Sequence, residues 1–167
     1  MHVTIRPWRQ SDAQRLHELA DDPEVVRWMS EIPSPYTMEI AQSWIASAAR
    51  DNPPKFFAIE LDGIVVGGAG IEPRIGSHRA GVAIVGYWLG RAYWGRGIAT
   101  EAVRQIVKLG LAGFRRLQAS VYEPNVASAR VLEKCGFQLE ACLRSSFLGR
   151  NGTPYDELIY GIVDEMQ

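Results

Sequence analysis

Two periods of apolar residues alternate along the chain, one of every second residue and one of every third or fourth, and they predict strands and helices respectively. Val3 to Trp8 alternates as a first strand, and Ser11 or Asp12 can cap a helix with Ala13, Leu16, Leu19 and Ala20 on one face. Asp21 to Ser30 opens on Pro23, a residue suited to a first helical turn, and carries Val25, Val26, Trp28 and Met29. Glu31 to Tyr36, with Pro33 and Pro35, is a loop. Thr37 then opens a helix with Ile40, Ala41, Trp44, Ile45 and Ala48, ending before Asn52, Pro53 and Pro54.

Lys55 to Leu61 and Ile64 to Ile71 flank Asp62-Gly63, the pair that suits the tight turn of an antiparallel hairpin. Gly76 to Arg79 is a polar loop, and Ala80 to Leu89 is a third strand of the same meander. Residues 97–112 form a helix with Ile98, Ala102, Ile106 and Leu109 at helical spacing, widened by Val103 and Val107. Leu117 to Tyr122 is a strand, Asn125 to Lys134 a helix stopped by Gly136, and Phe137 to Phe147 a strand. Tyr155 to Val163 is a further strand, reached across the Asn151-Gly152 turn. This order predicts one α/β domain of mixed α+β character over residues 1–167. Its core is a mixed, mostly antiparallel sheet of about seven strands with helices on both faces. No repeat, linker or low-complexity segment interrupts it.

Composition agrees with an ordinary globular domain: 167 residues, 47% hydrophobic and 22% charged, with 16 Gly and 9 Pro. A chain of this length buries about 70% of its unfolded surface and needs no metal or disulfide staple. The net charge of -1 gives no global attraction to nucleic acid or membrane. Basic residues do gather in Arg91, Arg96, Arg104, Lys108, Arg115 and Arg116, against Glu101 alone, as either a solvated helix face or an anion site. No aromatic-basic strand signature accompanies them, so a nucleic-acid partner is not expected. Cys135 and Cys142 lack CxxC spacing and are read as reduced, semi-buried apolar residues. His2, His17 and His78 lack ligand spacing, so no metal is expected. The start has no apolar signal core and no run suits a membrane span, so the expected location is cytoplasmic.

The chemistry concentrates in Gly86 to Glu101, where a strand passes through a short glycine loop directly into a helix. Gly95 and Gly97 leave room for a ligand to approach the free NH groups at the helix start, and Arg96 adds formal charge. A diphosphate fits such a cradle. A P-loop is excluded because no Gly-Lys-Ser or Gly-Lys-Thr occurs. The dinucleotide fingerprint fails at its third glycine, which is Thr100, and antiparallel strands precede the loop. Coenzyme A fits better.

These residues resemble the GNAT superfamily of acyl-CoA-dependent N-acetyltransferases, over nearly the whole chain. Trp94-Gly-Arg-Gly-Ile-Ala-Thr-Glu101 looks like the family's pyrophosphate loop, and the segment from Glu123 and Asn125 to Gly136-Phe137 looks like its second signature helix. Glu140, Arg144, Gly152, Asp156 and Tyr160 are similar to the tail of the RimJ/RimL branch, which acetylates protein N-termini and includes enzymes for small amines. Ala92 stands where the family loop often carries Gln or Arg. Leu132 stands where many members carry a tyrosine acid.

The resemblance implies acetyl transfer from acetyl-CoA to a primary amine, either a protein N-terminus or a small molecule, through a ternary complex. A non-catalytic acyl-CoA-binding domain is the alternative suggested by the absent tyrosine. The cosubstrate would meet Tyr87, Trp88 and Leu89 on a splayed strand, then Trp94, Gly95, Arg96, Gly97, Ile98, Ala99 and Thr100, and Asn125 on the second helix. An NH near Trp88 or Leu89 could face the thioester oxygen. Asn125 is equally a helix cap, and Ser128 is either a proton donor to the leaving thiolate or a serine bonded to its own helix. Glu72 is the first candidate base, raised in pKa by partial burial or relaying protons to water, and Glu31 the second. Acceptor choice falls to Asp21 to Arg50, and the resemblance allows for a homodimer.

Overall fold

The computed structural model describes residues 1–29 and 32–163, so Ser30, Glu31 and residues 164–167 lie outside it, Glu31's candidacy as a base included. Seven strands form one sheet: β1 (Val3–Pro7), β2 (Phe56–Leu61), β3 (Ile64–Pro73), β4 (Val82–Leu89), β5 (Arg116–Tyr122), β6 (Gln138–Leu148) and β7 (Pro154–Val163). Their order is β1-β2-β3-β4-β5-β7-β6, with β7 inserted between β5 and β6. Every neighbouring pair is antiparallel except β4 with β5, which the α4 crossover makes parallel.

Helices cover both faces. On one face, α1 (Ala13–Ala20) and α3 (Met38–Ala48) pack Leu16, Leu19, Ala41 and Ile45 with Trp8, Ala58 and Val65. On the other, α4 (Ile98–Leu111) and α5 (Val126–Lys134) bury Ile98, Val103, Ile106 and Leu132 on Ile59, Val66, Val85 and Leu117. The short α2 (Pro23–Val26) starts on Asp22, whose carboxylate accepts from the Glu24 NH at 2.9 Å, and is a single turn, shorter than the pattern predicted. Thr37 caps α3 as expected, its hydroxyl accepting from the Ile40 NH at 3.3 Å. Asp62 and Gly63 turn the β2–β3 hairpin with φ of 50° and 84°.

Two local expectations are corrected, and one loop gains a turn. Leu109 is 47% exposed, because the buried stripe of α4 centres on Ala102, Ile106 and Gly110 and leaves Leu109 at its margin. Cys142 is exposed on the edge strand β6, so only Cys135 is semi-buried; both are free thiols. The polar loop before β4 contains a 3-10 turn over Ser77–Arg79.

Neither Ser11 nor Asp12 caps α1 with its side chain; the buried Asp12 instead binds the Arg6 guanidinium at 2.7 and 3.0 Å and the Arg9 NH at 2.8 Å. Arg6 also holds Glu60 at 2.7 Å, which stitches β1, β2 and the entry to α1 together. Burial disfavours the Asp12 charge, yet the Arg6 and Arg9 contacts together hold its carboxyl below the usual carboxylate range. Its contribution is therefore complete above the unfolded carboxylate pKa and lost as pH falls through the lower folded value. Asp12→Ala should cost about 1–3 kcal/mol, since Arg6 keeps Glu60 as a partner. Urea unfolding of wild type and variant should show a gap at pH 7 that closes under acid.

Candidate active site

β4 and β5 pair only at Val82 with Arg116, Ala83 with Leu117 and Ile84 with Gln118. Beyond that point β4 continues to Leu89 on β3, and β5 continues to Tyr122 on β7. The two strands part and open a wedge whose inner edges lack strand partners. Strand alternation sends Tyr87 to the α4 and α5 face and Trp88 to the α1 and α3 face. Leu89 is buried, so a ligand in the wedge reaches its backbone only.

At the open end, Gly90 donates to the Val66 carbonyl at 2.9 Å, and the Trp94 indole donates to the Leu89 carbonyl at 2.8 Å, folding the loop back on its strand. Arg15 anchors the turn between them through the Tyr93 hydroxyl at 2.7 Å and the Val65 carbonyl at 2.9 Å. Gly95 and Gly97 have φ of 70° and 78°, a region that side chains with a Cβ enter at a cost, and Gly97 is the residue on which α4 starts. The first backbone bond of α4 across this junction runs from the Glu101 NH to the Gly97 carbonyl at 3.2 Å. The NH groups from Gly95 to Thr100 have no acceptor among the described residues. A Cβ at Gly95 or Gly97 would meet nothing within 4 Å, so the space over these donors is open. Arg96 is exposed, near the Tyr93 ring at 5.9 Å, with no carboxylate partner among the described residues. Ile98 is fully buried, so its side chain belongs to the core and only its NH faces the loop.

The other wall is α5. Asn125 caps it, its side-chain oxygen accepting from the Ser128 NH at 3.3 Å. Ser128, in the first turn, is half-buried, and its hydroxyl lies 2.8 Å from the Tyr87 hydroxyl. Leu132, one turn on, is fully buried in the core. Glu72 sits on the opposite face: β3 alternation turns it away from buried Ile71, and it registers with Ile84, the last β4 residue to pair with β5. It is exposed. Ser128 and Glu72 thus stand on opposite faces of the sheet, to either side of the wedge.

A family profile described as an acetyltransferase (GNAT) domain matches residues 2–138. The chain belongs to the GNAT acetyltransferase family. It is 31% identical over 152 residues to the uncharacterized N-acetyltransferase p20 of Bacillus licheniformis, covering 85% of this chain and 82% of that one. It is 38% identical over 101 residues to the uncharacterized N-acetyltransferase YoaA of Bacillus subtilis (strain 168), covering 59% of this chain and 55% of YoaA. Among solved structures, Mycobacterium smegmatis RimJ, in complex with CoA-disulfide, superposes with a TM-score of 0.84 at 27% identity over 98% of this chain and 83% of RimJ. RimL, the ribosomal L7/L12 alpha-N-protein acetyltransferase, shares the fold with a TM-score of 0.85 at 19% identity, over 99% and 96% of the two chains.

In this N-acetyltransferase the structure adds residues that sequence reasoning missed. Tyr122 stacks on Phe147 at 3.4 Å between centroids, Phe147 lies 6.5 Å from Tyr155, and Tyr155 lies 6.4 Å from Trp28. This aromatic row crosses from β5 to the end of α2 on the Glu72 face. Arg150, in the β6–β7 turn, donates to the carbonyls of Val26 at 3.1 Å, Met29 at 2.8 Å and Ile32, tying that turn to the segment before α3. Only the aromatic composition of residues 21–50 pointed there. The ring partner of Trp28, Tyr155, lies more than a hundred residues away in sequence, and no local spacing reveals it. Tail residues singled out by resemblance hold the sheet: Glu140 clasps Arg116, Asp156 accepts from the Ser145 NH at 2.9 Å, and the Tyr160 hydroxyl donates to Glu133 at 3.1 Å. Among the described residues no cluster of three His, Cys, Asp or Glu could hold a metal, and no helix is long and apolar enough to cross a membrane.

Proposed function

We propose that this acetyltransferase moves the acetyl group of acetyl-CoA to a primary amine by direct attack within a ternary complex. The observation that carries the reading is the run of unpartnered NH groups from Gly95 to Thr100 at the mouth of the wedge. Those donors, the positive end of α4 and Arg96 suit a diphosphate, while the unpaired edges of β4 and β5 suit the amides of a pantetheine arm. RimJ and RimL, solved with coenzyme A, have the same fold, which supports this ligand.

Acetyl-CoA supplies the activated acyl group; the chain must accept charge and move protons. A backbone NH near Trp88 or Leu89, on the edge that β5 has left, meets the charge that develops on the thioester oxygen, a contribution of about 100-fold to 1000-fold in rate. Glu72 faces the side left free for the acceptor, where its carboxylate attracts an ammonium and relays its proton to water. The aromatic row and the Arg150 tie frame that side, which favours an acceptor held between the β6–β7 turn and the segment after α2. Thiol release from acetyl-CoA across a panel of peptides and small amines, with product masses, tests the reading. Absence of turnover with every amine, despite tight coenzyme A binding, would overturn it.

Ser128 is assigned to the leaving sulfur. Ser128→Ala keeps the NH that Asn125 caps, so α5 should stand, and turnover should fall by about 10-fold to 100-fold with little change in the acetyl-CoA constant. Turnover within twofold of wild type would remove Ser128 from the mechanism.

A further inference from the structure

The two walls of the wedge are joined, past the last β4–β5 pair, by one side chain. Tyr87 stands three residues beyond Ile84, about 10 Å along the strand, and turns toward α4 and α5. Its hydroxyl lies 2.8 Å from the Ser128 hydroxyl and 2.9 Å from the Ser128 carbonyl, so its single proton has both oxygens within reach. Among the described residues no other hydrogen bond links β4 to β5 or α5 beyond that pair. The contact joins positions 41 apart in sequence. Leu132, one turn further along α5, has no hydroxyl and is fully buried.

We propose that Tyr87 is a positioning residue for the leaving group: its hydroxyl gives its one proton to Ser128 Oγ in preference to the Ser128 carbonyl, so that the Ser128 proton is directed at the sulfur as the thioester breaks. The inference rests on the assignment of Ser128 made above. In the step, the amine nitrogen forms the new C–N bond, and the C–S bond breaks with its electron pair passing to sulfur. The amine proton departs to water by way of Glu72, and the thiolate leaves solvated and takes its proton from water.

Tyr87 keeps its own proton throughout. Burial pushes its hydroxyl well above the ordinary tyrosine value, more than the Ser128 contact offsets. An alkyl thiol ionises near about 8.5, so full transfer from this phenol to the thiolate runs uphill. The pair therefore acts as a chain of two hydrogen-bond donors toward a developing anion, where such bonds are about twice as strong as between neutral groups.

The test is a double-mutant cycle read in turnover, the acetyl-CoA constant, coenzyme A affinity and thermal unfolding. Tyr87→Phe keeps the ring and its packing. It should lower kcat by about 5-fold to 20-fold, leaving the acetyl-CoA constant and coenzyme A affinity within twofold. Combined with Ser128→Ala it should be no worse than Ser128→Ala alone, because the phenol acts only through that oxygen. Ser128→Thr, which keeps a hydroxyl, should restore most of the turnover lost in Ser128→Ala, and the rescue should fail when Tyr87→Phe is added.

Losses that multiply in the double variant, or an unchanged kcat in Tyr87→Phe beside an impaired Ser128→Ala, would overturn the role of Tyr87 while leaving Ser128 in place. A Tyr87→Phe variant that loses coenzyme A affinity at constant kcat would make the contact a prop between the walls, which also overturns it. An unimpaired Ser128→Ala would instead defeat the assignment on which the inference rests.

Discussion

Gly97→Leu is expected to weaken coenzyme A binding by at least about 100-fold while leaving a folded protein. The donors around Gly97 have no partner in the chain, and nothing stands within 4 Å of the place a Cβ would occupy. A leucine side chain therefore clashes with no protein atom there at its Cβ and instead fills the space over the NH groups. Loss of two hydrogen bonds to a charged diphosphate, at about 1.5 kcal/mol each, already amounts to that factor. The substitution also forces a side chain to φ of 78°, which costs about 1–2 kcal/mol of stability. Gly63→Leu in the β2–β3 turn is the control, since its φ is 84° and its surroundings are equally open. The two variants should lose similar thermal stability, and only Gly97→Leu should lose heat of binding in calorimetry. Unchanged affinity would remove the loop as the diphosphate site.

Glu72→Gln should have the second largest effect. It preserves shape and hydrogen-bonding reach and removes the charge beside the apex of the wedge, where Glu72 registers with Ile84. General-base loss costs about 100-fold to 10,000-fold, and an exposed carboxylate that relays protons to water belongs at the lower end. The sign of the pH effect identifies the role. If Glu72 carries the proton away, the rate of the variant should climb toward wild type as pH rises and the amine deprotonates unaided. If it only attracts the ammonium, the acceptor constant should worsen with turnover nearly unchanged. Wild-type constants with an unaltered pH profile, on an acceptor that the amine panel has validated, would exclude both roles and turn attention to Glu31.

Asp62-Gly63, Thr37, Asn125, Gly97 and Gly136 each mark a turn, cap or helix end through interactions within a few residues, and the structure places all of them at such positions. Local geometry at these points depends on backbone freedom and nearby donors, so the neighbouring residues determine it. The same holds for the glycine loop and the second signature helix, which together announced the family. Expectations that depended on distant partners fared differently. Asp12 stands at the N-cap position of α1, but its carboxylate serves Arg6 on the preceding strand and the Arg9 NH in place of the NH groups of the helix. Leu109 kept its helical spacing and still met solvent, because the width of a buried stripe is decided by what packs on it.

The sequence by itself thus determined the seven strands, the helices, the glycine loop that leads into α4 and the reaction class, since each of these is encoded in short-range periodicity or in contiguous motifs. The tertiary structure alone decided the insertion of β7 between β5 and β6 and the point at which β4 and β5 part. It alone put Glu72 and Ser128 on opposite faces of the sheet, set the Tyr87 hydroxyl against Ser128, and laid the aromatic row beside the Arg150 tie. The Tyr87–Ser128 contact joins residues 41 positions apart, and the Arg150 tie joins residues more than a hundred apart. Their formation depends on how twisted, side-chain-covered elements pack, a property that no window of neighbouring residues contains.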